Sequence, residues 1–273
     1  MLITRVITAV VLLAVLLPVL FFAPVVAWAL LTLAVLAAGG WEWARMFGMR
    51  QPLWLAALIL VLGLGWIALF WSGAWPPQMS RVIYVLAASF WLLLAPWLLL
   101  RQRNILQWRS IALPVLLAAW LALVEARQQG ILFMLSIMLL VWAADIGAYF
   151  AGKRFGKHKL APAISPGKTW EGVAGGLLAA ILLSVWLATA DWSGDSYFAR
   201  IAQHYGLGGL LPMVIVLVSL SIVGDLFESL LKRQAGIKDS SGLLPGHGGV
   251  LDRIDALLPV LPVAMLFYFW SVA

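Results

Sequence analysis

The residues best suited to chemistry lie in one segment, 224–255, which reads GDLFESLLKRQAGIKDSSGLLPGHGGVLDRID. Four polar residues near its start are spaced i, i+3, i+4 and i+7 and so share one face of a helix: Asp225, Glu228, Ser229 and Lys232. An ionised carboxylate in an apolar helix is costly unless it is paired, hydrated or bound to metal. Asp225 is therefore a candidate functional residue, with an ion pair to Lys232 as the alternative. Glu228 either acts in the site or only orients a basic neighbour.

A glycine-rich loop follows this helix. Its notable residues are Lys238, Asp239, Gly242, Pro245, Gly246, His247, Gly248 and Gly249. Glycine permits positive φ and close backbone approach, so successive N–H groups can face a phosphate, while the lysine and the histidine add charge or donors. Because the loop lies between two acid-bearing helix ends, the pattern favours a phosphate site.

The last apolar segment opens with Asp252, Arg253 and Asp255. The two carboxylates could simply cap a helix and interact favourably with its dipole. Together with Asp225, they also offer the hard oxygen ligands that Mg²⁺ uses when it bridges substrate phosphates. The chain has no cysteine, which excludes thiolate metal sites. We therefore favour metal binding for Asp225 and Asp252.

A second polar cluster runs from residue 145 to residue 172. Asp145 and Tyr149 are spaced i, i+4 and face the same way, so Asp145 is either a structural acceptor or a ligand for substrate or metal. Lys168 precedes the next helix, where a lysine and free N–H groups can bind phosphate, and Ser165 or Thr169 can cap that helix. The turn lacks the Walker A spacing, so it does not indicate an ATPase. Five basic residues form a patch that we expect to attract anionic lipids: Lys153, Arg154, Lys157, His158 and Lys159.

The composition identifies the environment of these clusters. Of the 273 residues, 64% are hydrophobic and 11% are charged, which excludes a soluble globule. The net charge is +7, but the basic residues lie in short clusters between apolar runs rather than along one soluble face. We therefore expect anionic lipids and phosphorylated substrates as partners, and no nucleic acid.

Apolar runs predict an all-α, polytopic membrane bundle. Residues 6–41 carry no charge and would make a helix of about 54 Å, against about 30 Å of hydrocarbon, so they form two spans with a turn near Pro18 and Pro24. We predict nine spans: 5–22, 25–44, 53–71, 83–100, 111–125, 131–150, 172–190, 210–231 and 254–271. The fifth is short, and if it is re-entrant the count is eight.

The charge distribution predicts the orientation. With the N-terminus in the cytoplasm, all 18 lysines and arginines except Arg81, Arg127 and Arg200 lie on the cytoplasmic side. We expect one membrane domain, 1–273, in which 1–130 is mainly scaffold and 131–273 is the catalytic portion. Only Glu42 and Glu125, near span ends, depart from the scaffold interpretation.

The segment 229–255 closely resembles the pattern of phosphatidate cytidylyltransferases, also called CDP-diacylglycerol synthases. The stretches DIGAYFAGKRFGKHKL, 145–160, and SPGKTWEG, 165–172, also resemble the bacterial members. The resemblance implies transfer of a cytidylyl group from CTP to phosphatidic acid, giving CDP-diacylglycerol and pyrophosphate in phospholipid biosynthesis. It further implies Mg²⁺, a second monovalent cation such as K⁺, a homodimer, and a bacterial inner-membrane location with a cytoplasmic active site.

The resemblance also assigns roles to residues. It places Asp225 and Asp252 at acidic positions associated with metal, and it places four residues in the nucleotide and phosphate region: Lys232, Arg233, Lys238 and His247. We expect these six to be catalytic. We expect a further set to bind substrate: Asp145, Lys168, Ser229, Gly246, Gly248, Gly249, Arg253 and Asp255.

Two other functions stay open at this point. A transporter or lipid flippase could use the intramembrane acids Asp145, Asp225 and Glu228 as an ion path, although its site is expected near the midplane and between structural repeats. A polyprenyl-phosphate sugar-phosphate transferase would also join a lipid phosphate to a nucleotide-derived phosphate, but it would release UMP rather than pyrophosphate.

Overall fold

The computed structural model describes residues 2–271. Within them the chain is almost entirely helical, because backbone groups in an apolar chain are best satisfied within a helix. The helices are α1 (Leu2–Phe22), α2 (Val25–Met46), α3 (Leu53–Trp71), α4 (Pro77–Ser89), α5 (Ala95–Leu100), α6 (Ala112–Gln129), α7 (Ile131–Phe155), α8 (Trp170–Thr189), α9 (Tyr197–Gln234), α10 (Leu251–Ile254) and α11 (Leu257–Ser271). A π-helical turn, Phe90–Leu94, joins α4 to α5, and 3-10 turns occupy Ile105–Ile111 and Asp191–Ser193.

Eight helical segments within residues 2–271 are long and apolar enough to cross a membrane. They are α1, α2, α3, α4 continued through α5, α7, α8, α9, and α10 continued through α11. The prediction of an all-α polytopic bundle is confirmed. The predicted turn after the first span is also present: α1 ends at Phe22 and α2 begins at Val25, although Pro18 lies inside α1.

The fifth predicted span corresponds to α6, which is not among these eight segments. It is largely buried and carries Glu125 and Arg127 in its last turns. The 3-10 turn that leads into α6 contacts the end of α9, where the Ile105 N–H donates to Gln234 Oε1 at 2.7 Å. At the other end of α6, Arg127 Nη2 donates to the Leu20 carbonyl at 2.8 Å. Helix α6 therefore runs between the two ends of the bundle, and its count as a ninth span stays a prediction.

The three basic residues that the orientation model places outside lie together at one end of the bundle. Arg127 contacts the end of α1, and Arg200 Nη2 donates to the Gln129 carbonyl at 3.1 Å. Arg81 lies over the Phe269 ring, 5.6 Å from its centroid. This end is opposite the one that carries the polar clusters of 145–172 and 224–255.

Helices α7 and α8 pack closely through small residues. A Cβ on Gly147 would lie 2.7 Å from the Gly175 carbonyl, and one on Gly176 would lie 2.6 Å from the Ala144 carbonyl. Small residues let helix backbones approach in this way where no water drives their association. The result is a firm helix pair that supports one wall of the site described below.

A short hairpin, which the sequence analysis did not predict, connects α7 to α8. Its antiparallel strands are β1 (Lys159–Ala161) and β2 (Ser165–Thr169). Thr169 then caps α8, as predicted, because its hydroxyl accepts from the Gly172 N–H at 3.1 Å. The Glu171 carboxylate accepts from the Lys157 and His158 N–H groups at 3.1 and 3.2 Å. These contacts hold the hairpin over the ends of α7 and α8.

Helix α9 contains a backbone break. Gly206 has φ +67° and ψ 175°, which is not helical, and separates a short first part from the long segment that follows. The long segment packs against α8, α11 and α7 and delivers the polar residues near its C-terminal end.

Candidate active site

A cavity of about 530 Å³ lies between α7, α8, α9 and the hairpin. Three of the predicted site residues line it, one from each of three elements: Asp145 on α7, Lys168 on β2 and Asp225 on α9. Tyr149 also lines it, which confirms that Asp145 and Tyr149 face the same way. The remaining walls are mostly small and apolar, so charge in the cavity is concentrated in a few side chains.

Asp225 pairs with Lys168 in this cavity. The distance between Lys168 Nζ and Asp225 Oδ2 is 2.7 Å, and the Ser229 hydroxyl donates to Asp225 Oδ1 at 3.2 Å. The alternative pairing of Asp225 with Lys232 is therefore wrong, because the hairpin brings a nearer lysine. Both partners remain accessible, with 26% of the Lys168 side chain and 35% of the Asp225 side chain exposed.

Two further carboxylates lie within Coulombic range of Asp225. They are Asp145, across the cavity on α7, and Asp255, at the junction of α10 and α11. Gly224 makes the second approach possible, because a Cβ there would lie 2.4 Å from the Asp255 carbonyl oxygen. Asp255 Oδ1 accepts from the Ala256 N–H at 2.8 Å. The site thus gathers three carboxylates around the Lys168–Asp225 pair.

A second cluster lies two turns further along α9. Lys232 pairs with Glu228 on its own helix, and its Nζ lies 2.6 Å from Asp252 Oδ1 on α10. These side chains are buried, with 13% of Lys232, 4% of Glu228 and 8% of Asp252 exposed. Glu228 therefore contacts a basic neighbour, which is one of the two roles considered for it.

Asp252 also ties the glycine-rich loop to α10. Its Oδ2 accepts from the Ser240 N–H at 3.0 Å, from the Ser240 hydroxyl at 2.9 Å and from the Gly249 N–H at 2.8 Å. Gly248 has φ +83°, and a Cβ there would lie 2.8 Å from the same oxygen. Positive φ and the close approach together explain why glycine occupies this position.

Glu42 on α2 contacts the site, although its sequence context predicts no role there. It is fully buried and accepts hydrogen bonds from two backbone N–H groups, Val250 at 2.9 Å and Leu251 at 2.8 Å. It also accepts from the hydroxyls of Ser240 and Ser241. Several N–H groups that the sequence offered to a phosphate are therefore bound to the carboxylates of Glu42 and Asp252.

Other predicted residues lie around the loop. His247 is half-buried, and its Nδ1 is buried without a hydrogen-bond partner among residues 2–271. Arg253 Nε donates to the His247 carbonyl at 3.0 Å. Gly246 has φ +76° and lies against Arg5. Arg233 and Lys238 are exposed.

The chain is similar to known proteins over nearly its whole length. The model of the cytidylyltransferase family matches residues 3–271. The chain belongs to the cytidylyltransferase family. The family match therefore includes the cavity, the glycine-rich loop and the scaffold helices alike.

Individual members of the family agree with this extent. The chain is 42% identical over 270 residues to a phosphatidate cytidylyltransferase of Pseudomonas aeruginosa, covering 95% of this chain and 94% of the relative. It is 35% identical over 290 residues to the phosphatidate cytidylyltransferase of Haemophilus influenzae, covering 97% and 98%. A Staphylococcus epidermidis phosphatidate cytidylyltransferase is 43% identical over 139 residues, about half of each chain.

The donor chemistry of this family member suits a hard cation at Asp225. No group of three or more His, Cys, Asp or Glu side chains poised for a metal occurs in the part of the chain that the structure describes. Mg²⁺ is commonly held by one or two carboxylates and by substrate phosphates, so a complete protein cage is not required. Asp225 is accessible and has carboxylate neighbours, whereas both oxygens of Asp252 already accept from Lys232, Ser240 and Gly249.

Proposed function

We propose that this chain transfers the cytidylyl group of CTP to phosphatidic acid and releases pyrophosphate and CDP-diacylglycerol. The observation that carries the proposal is the full-length similarity to phosphatidate cytidylyltransferases, at 42% and 35% identity. The accessible Lys168–Asp225 pair supports it, because that pair stands in a cavity with apolar walls and a charged rim. A lipid with a phosphate headgroup likewise combines an apolar part with a charged end.

The reaction joins two anions. A phosphate oxygen of phosphatidic acid attacks the α-phosphorus of CTP, a new P–O bond forms, and the bond to the β-phosphate oxygen breaks as pyrophosphate leaves. The attacking oxygen already carries negative charge, so positioning and electrostatic stabilisation can supply the catalysis. A dedicated general base is not needed.

Residues of the cavity, of the second cluster on α9 and of the loop divide this work. Lys168 can leave Asp225 and neutralise a phosphate, because both side chains are accessible and their pairing involves a single Nζ–Oδ2 contact. Lys232 is held by Glu228 and Asp252 and supplies a fixed positive charge further along α9. His247 is half-buried on the loop, and an imidazole N–H can donate to a phosphate oxygen.

Mg²⁺ is part of the proposal, and when bound it would screen the phosphate charges and favour departure of pyrophosphate. Asp225 is the residue best placed to hold it. Asp145 and Asp255 add negative charge next to Asp225, whereas Asp252 would first have to exchange Lys232 or a loop donor. The second monovalent cation and the homodimer stay predictions.

Measurement of pyrophosphate release tests the reaction. Purified protein in mixed micelles is given CTP and phosphatidic acid, and the lipid product is separated in parallel. We expect pyrophosphate and CDP-diacylglycerol in equal amounts, and no release of UMP when UDP-sugars and polyprenyl phosphate replace these substrates. UMP release with UDP-sugars, or movement of lipid across vesicles without chemical change, would overturn the proposal.

We also propose that the cavity opens to the cytoplasmic face of the bacterial inner membrane. The chain has no cysteine, so single-cysteine variants report their own positions without background. A membrane-impermeant thiol reagent applied to intact spheroplasts should label Asp195→Cys. It should label Lys157→Cys and Gly242→Cys only after the membrane is opened. Labelling of Gly242→Cys from outside would contradict this orientation.

A further inference from the structure

We infer that Glu42 is a positioning residue for the glycine-rich loop, here defined as residues 236–250, and through it for Asp252 and Lys232. This inference rests on the proposed function, because the loop and α10 form part of the proposed site. Glu42 lies on α2, in the half of the chain expected to be scaffold. It nonetheless contacts the site directly, as Arg5 and Thr8 of α1 also do at Gly246 and Pro245.

The hydrogen-bond pattern around Glu42 is specific. Oε1 accepts from the Ser241 hydroxyl and from the Val250 N–H at 2.9 Å. Oε2 accepts from the Ser240 hydroxyl at 3.2 Å and from the Leu251 N–H at 2.8 Å. Each carboxylate oxygen therefore lies within hydrogen-bond distance of one hydroxyl and one backbone N–H. One buried anion thus connects residues 240–241 to residues 250–251, on the two sides of the intervening turn.

The backbone of α2 is shaped for this contact. A Cβ on Gly39 would lie 3.2 Å from Leu251 Cδ2, so glycine at this position lets α2 approach the start of α10. A Cβ on Gly249 would lie 2.4 Å from Glu42 Oε1 and 2.0 Å from the Ser240 hydroxyl. Glycines on both sides of the contact thus make room for the carboxylate.

The Ser240 hydroxyl connects this contact to the predicted site. It lies 3.2 Å from Glu42 Oε2 and 2.9 Å from Asp252 Oδ2, so it stands between the two carboxylates. Asp252 in turn holds Lys232 at 2.6 Å. A shift of the loop at Glu42 would therefore be passed to Lys232, the buried lysine of the second cluster.

Glutamine at position 42 tests the charge while keeping the shape. Whichever end of the amide carries the NH₂ group, that group faces a backbone N–H, either that of Val250 or that of Leu251, and two donors then oppose each other. A serine hydroxyl can rotate to accept, but an N–H cannot. Glu42→Gln should therefore leave one buried N–H without an acceptor and loosen the loop.

The matched control is Glu125→Gln. Glu125 is also a buried glutamate in the scaffold, but it accepts from the hydroxyls of Ser80 and Tyr84, which can reorient, and it lies at the opposite end of the bundle. Both substitutions remove one buried negative charge. Only Glu42→Gln should affect the loop.

The experiment measures kinetics and loop accessibility together. Val250→Cys provides the probe, because the Val250 side chain at the end of the loop is buried, 8% exposed, and a thiol there becomes reactive only when the loop opens. In this background, we expect Glu42→Gln to lower kcat by about tenfold or more, to change the KM for CTP by less than about threefold, and to raise the thiol labelling rate severalfold. Glu125→Gln should keep kcat and the labelling rate within about twofold.

The outcomes separate this inference from the proposed function. If the parent protein makes no CDP-diacylglycerol, the proposed function fails, and the labelling rates alone still test the contact. If the parent is active and Glu42→Gln keeps the parental kcat and labelling rate, the inference is overturned. Equal losses in Glu42→Gln and Glu125→Gln would also overturn it, since they would indicate a general loss of stability.

A milder variant covers the case in which Glu42→Gln does not fold. The Ser241 hydroxyl donates to Glu42 and accepts from the Leu243 N–H at 3.0 Å, so it connects the Glu42 carboxylate to the loop backbone. Ser241→Ala should raise the labelling rate at position 250 and lower kcat by a few fold. Parental values for both quantities would overturn the inference.

Discussion

Asp225, in the cavity between α7, α8 and α9, has fewer partners and is more exposed than Glu42 and Asp252, the carboxylates that contact the glycine-rich loop. In the cavity, Asp225 has one lysine and one serine hydroxyl as partners, and 35% of its side chain is exposed. Around the loop, Glu42 on α2 and Asp252 on α10 are buried, each has three donors of its own, and the two share the Ser240 hydroxyl. The two regions lie at the same end of the bundle and share α9.

This difference indicates a division of labour. A carboxylate with one exposed partner can exchange that partner for a cation or a substrate at little cost. A buried carboxylate that satisfies several N–H groups cannot, because each donor left without an acceptor is costly in a low-dielectric interior. We therefore interpret the cavity as the place where ligands exchange and the loop as the frame that keeps its geometry.

The largest effect should come from Asp225→Asn. The substitution removes charge from the accessible carboxylate proposed to hold Mg²⁺, and it breaks the ion pair with Lys168. We expect kcat/KM to fall by about a thousandfold while the protein stays folded, as judged by its melting temperature in detergent. Asp195→Asn is the control, because Asp195 is an exposed acid on the opposite end of the bundle. Near-parental turnover of Asp225→Asn at limiting Mg²⁺ would contradict the assignment.

Asp252→Asn should have the next largest effect on activity, and unlike Asp225→Asn it should also loosen the loop. An amide there cannot accept from all of Lys232, Ser240 and Gly249, so the loop loses part of its frame. We expect kcat to fall by about a hundredfold and the thiol labelling rate of the buried probe Val250→Cys to rise. Asp225→Asn should leave that labelling rate unchanged. If both variants change labelling equally, the two regions do not have separate roles.

His247→Ala and Lys238→Ala test whether the loop also contacts phosphate. Loss of a directed donor to a transferring or leaving phosphate should lower kcat/KM by about tenfold or more. Initial rates in mixed micelles, with CTP and phosphatidic acid varied separately, measure the effect. Because Lys238 is exposed and His247 is half-buried, we expect the loss at His247 to depend less on salt.

The smallest effect is expected at Lys157 and Lys159, which are exposed on the hairpin side of the site. If they only attract anionic lipid, each contributes about 1 kcal/mol near the surface, and salt screens that contribution. Lys157→Ala and Lys159→Ala should therefore lose little activity, and the difference from the parent should vanish at high ionic strength. Equal, salt-sensitive losses at these residues and at His247 would remove the distinction between a phosphate site and surface charge.

The features that sequence predicted are local ones. The break before α2, the cap at Thr169 and the shared face of Asp225 and Ser229 all depend on residues within a few positions of each other. Charge-free runs and proline placement identify such features because helix length and backbone chemistry constrain them directly. The same holds for the membrane-spanning character of the chain.

The features that sequence did not predict depend on contacts between distant segments. Glu42 and Ser240 are separated by 198 positions, and nothing near Glu42 indicates that α2 approaches the loop. The pairing of Lys168 with Asp225 depends on a hairpin whose second strand contains proline and glycine, which are weak strand formers. In both cases the helix packing decides which acid meets which donor.

The break at Gly206 has a consequence for where the reaction takes place. Residues 207–234 form a helix of about 42 Å, against a hydrocarbon thickness of about 30 Å. With the break at one boundary of the hydrocarbon, Asp225 falls about 28 Å along the helix, at the depth of the lipid headgroups on the other side. The length of α9 beyond Gly206 then places the Asp225 carboxylate near the depth of the phosphate of a lipid that remains in its own leaflet. We therefore expect the lipid to reach the site by lateral diffusion, without extraction, and turnover to depend on bilayer thickness.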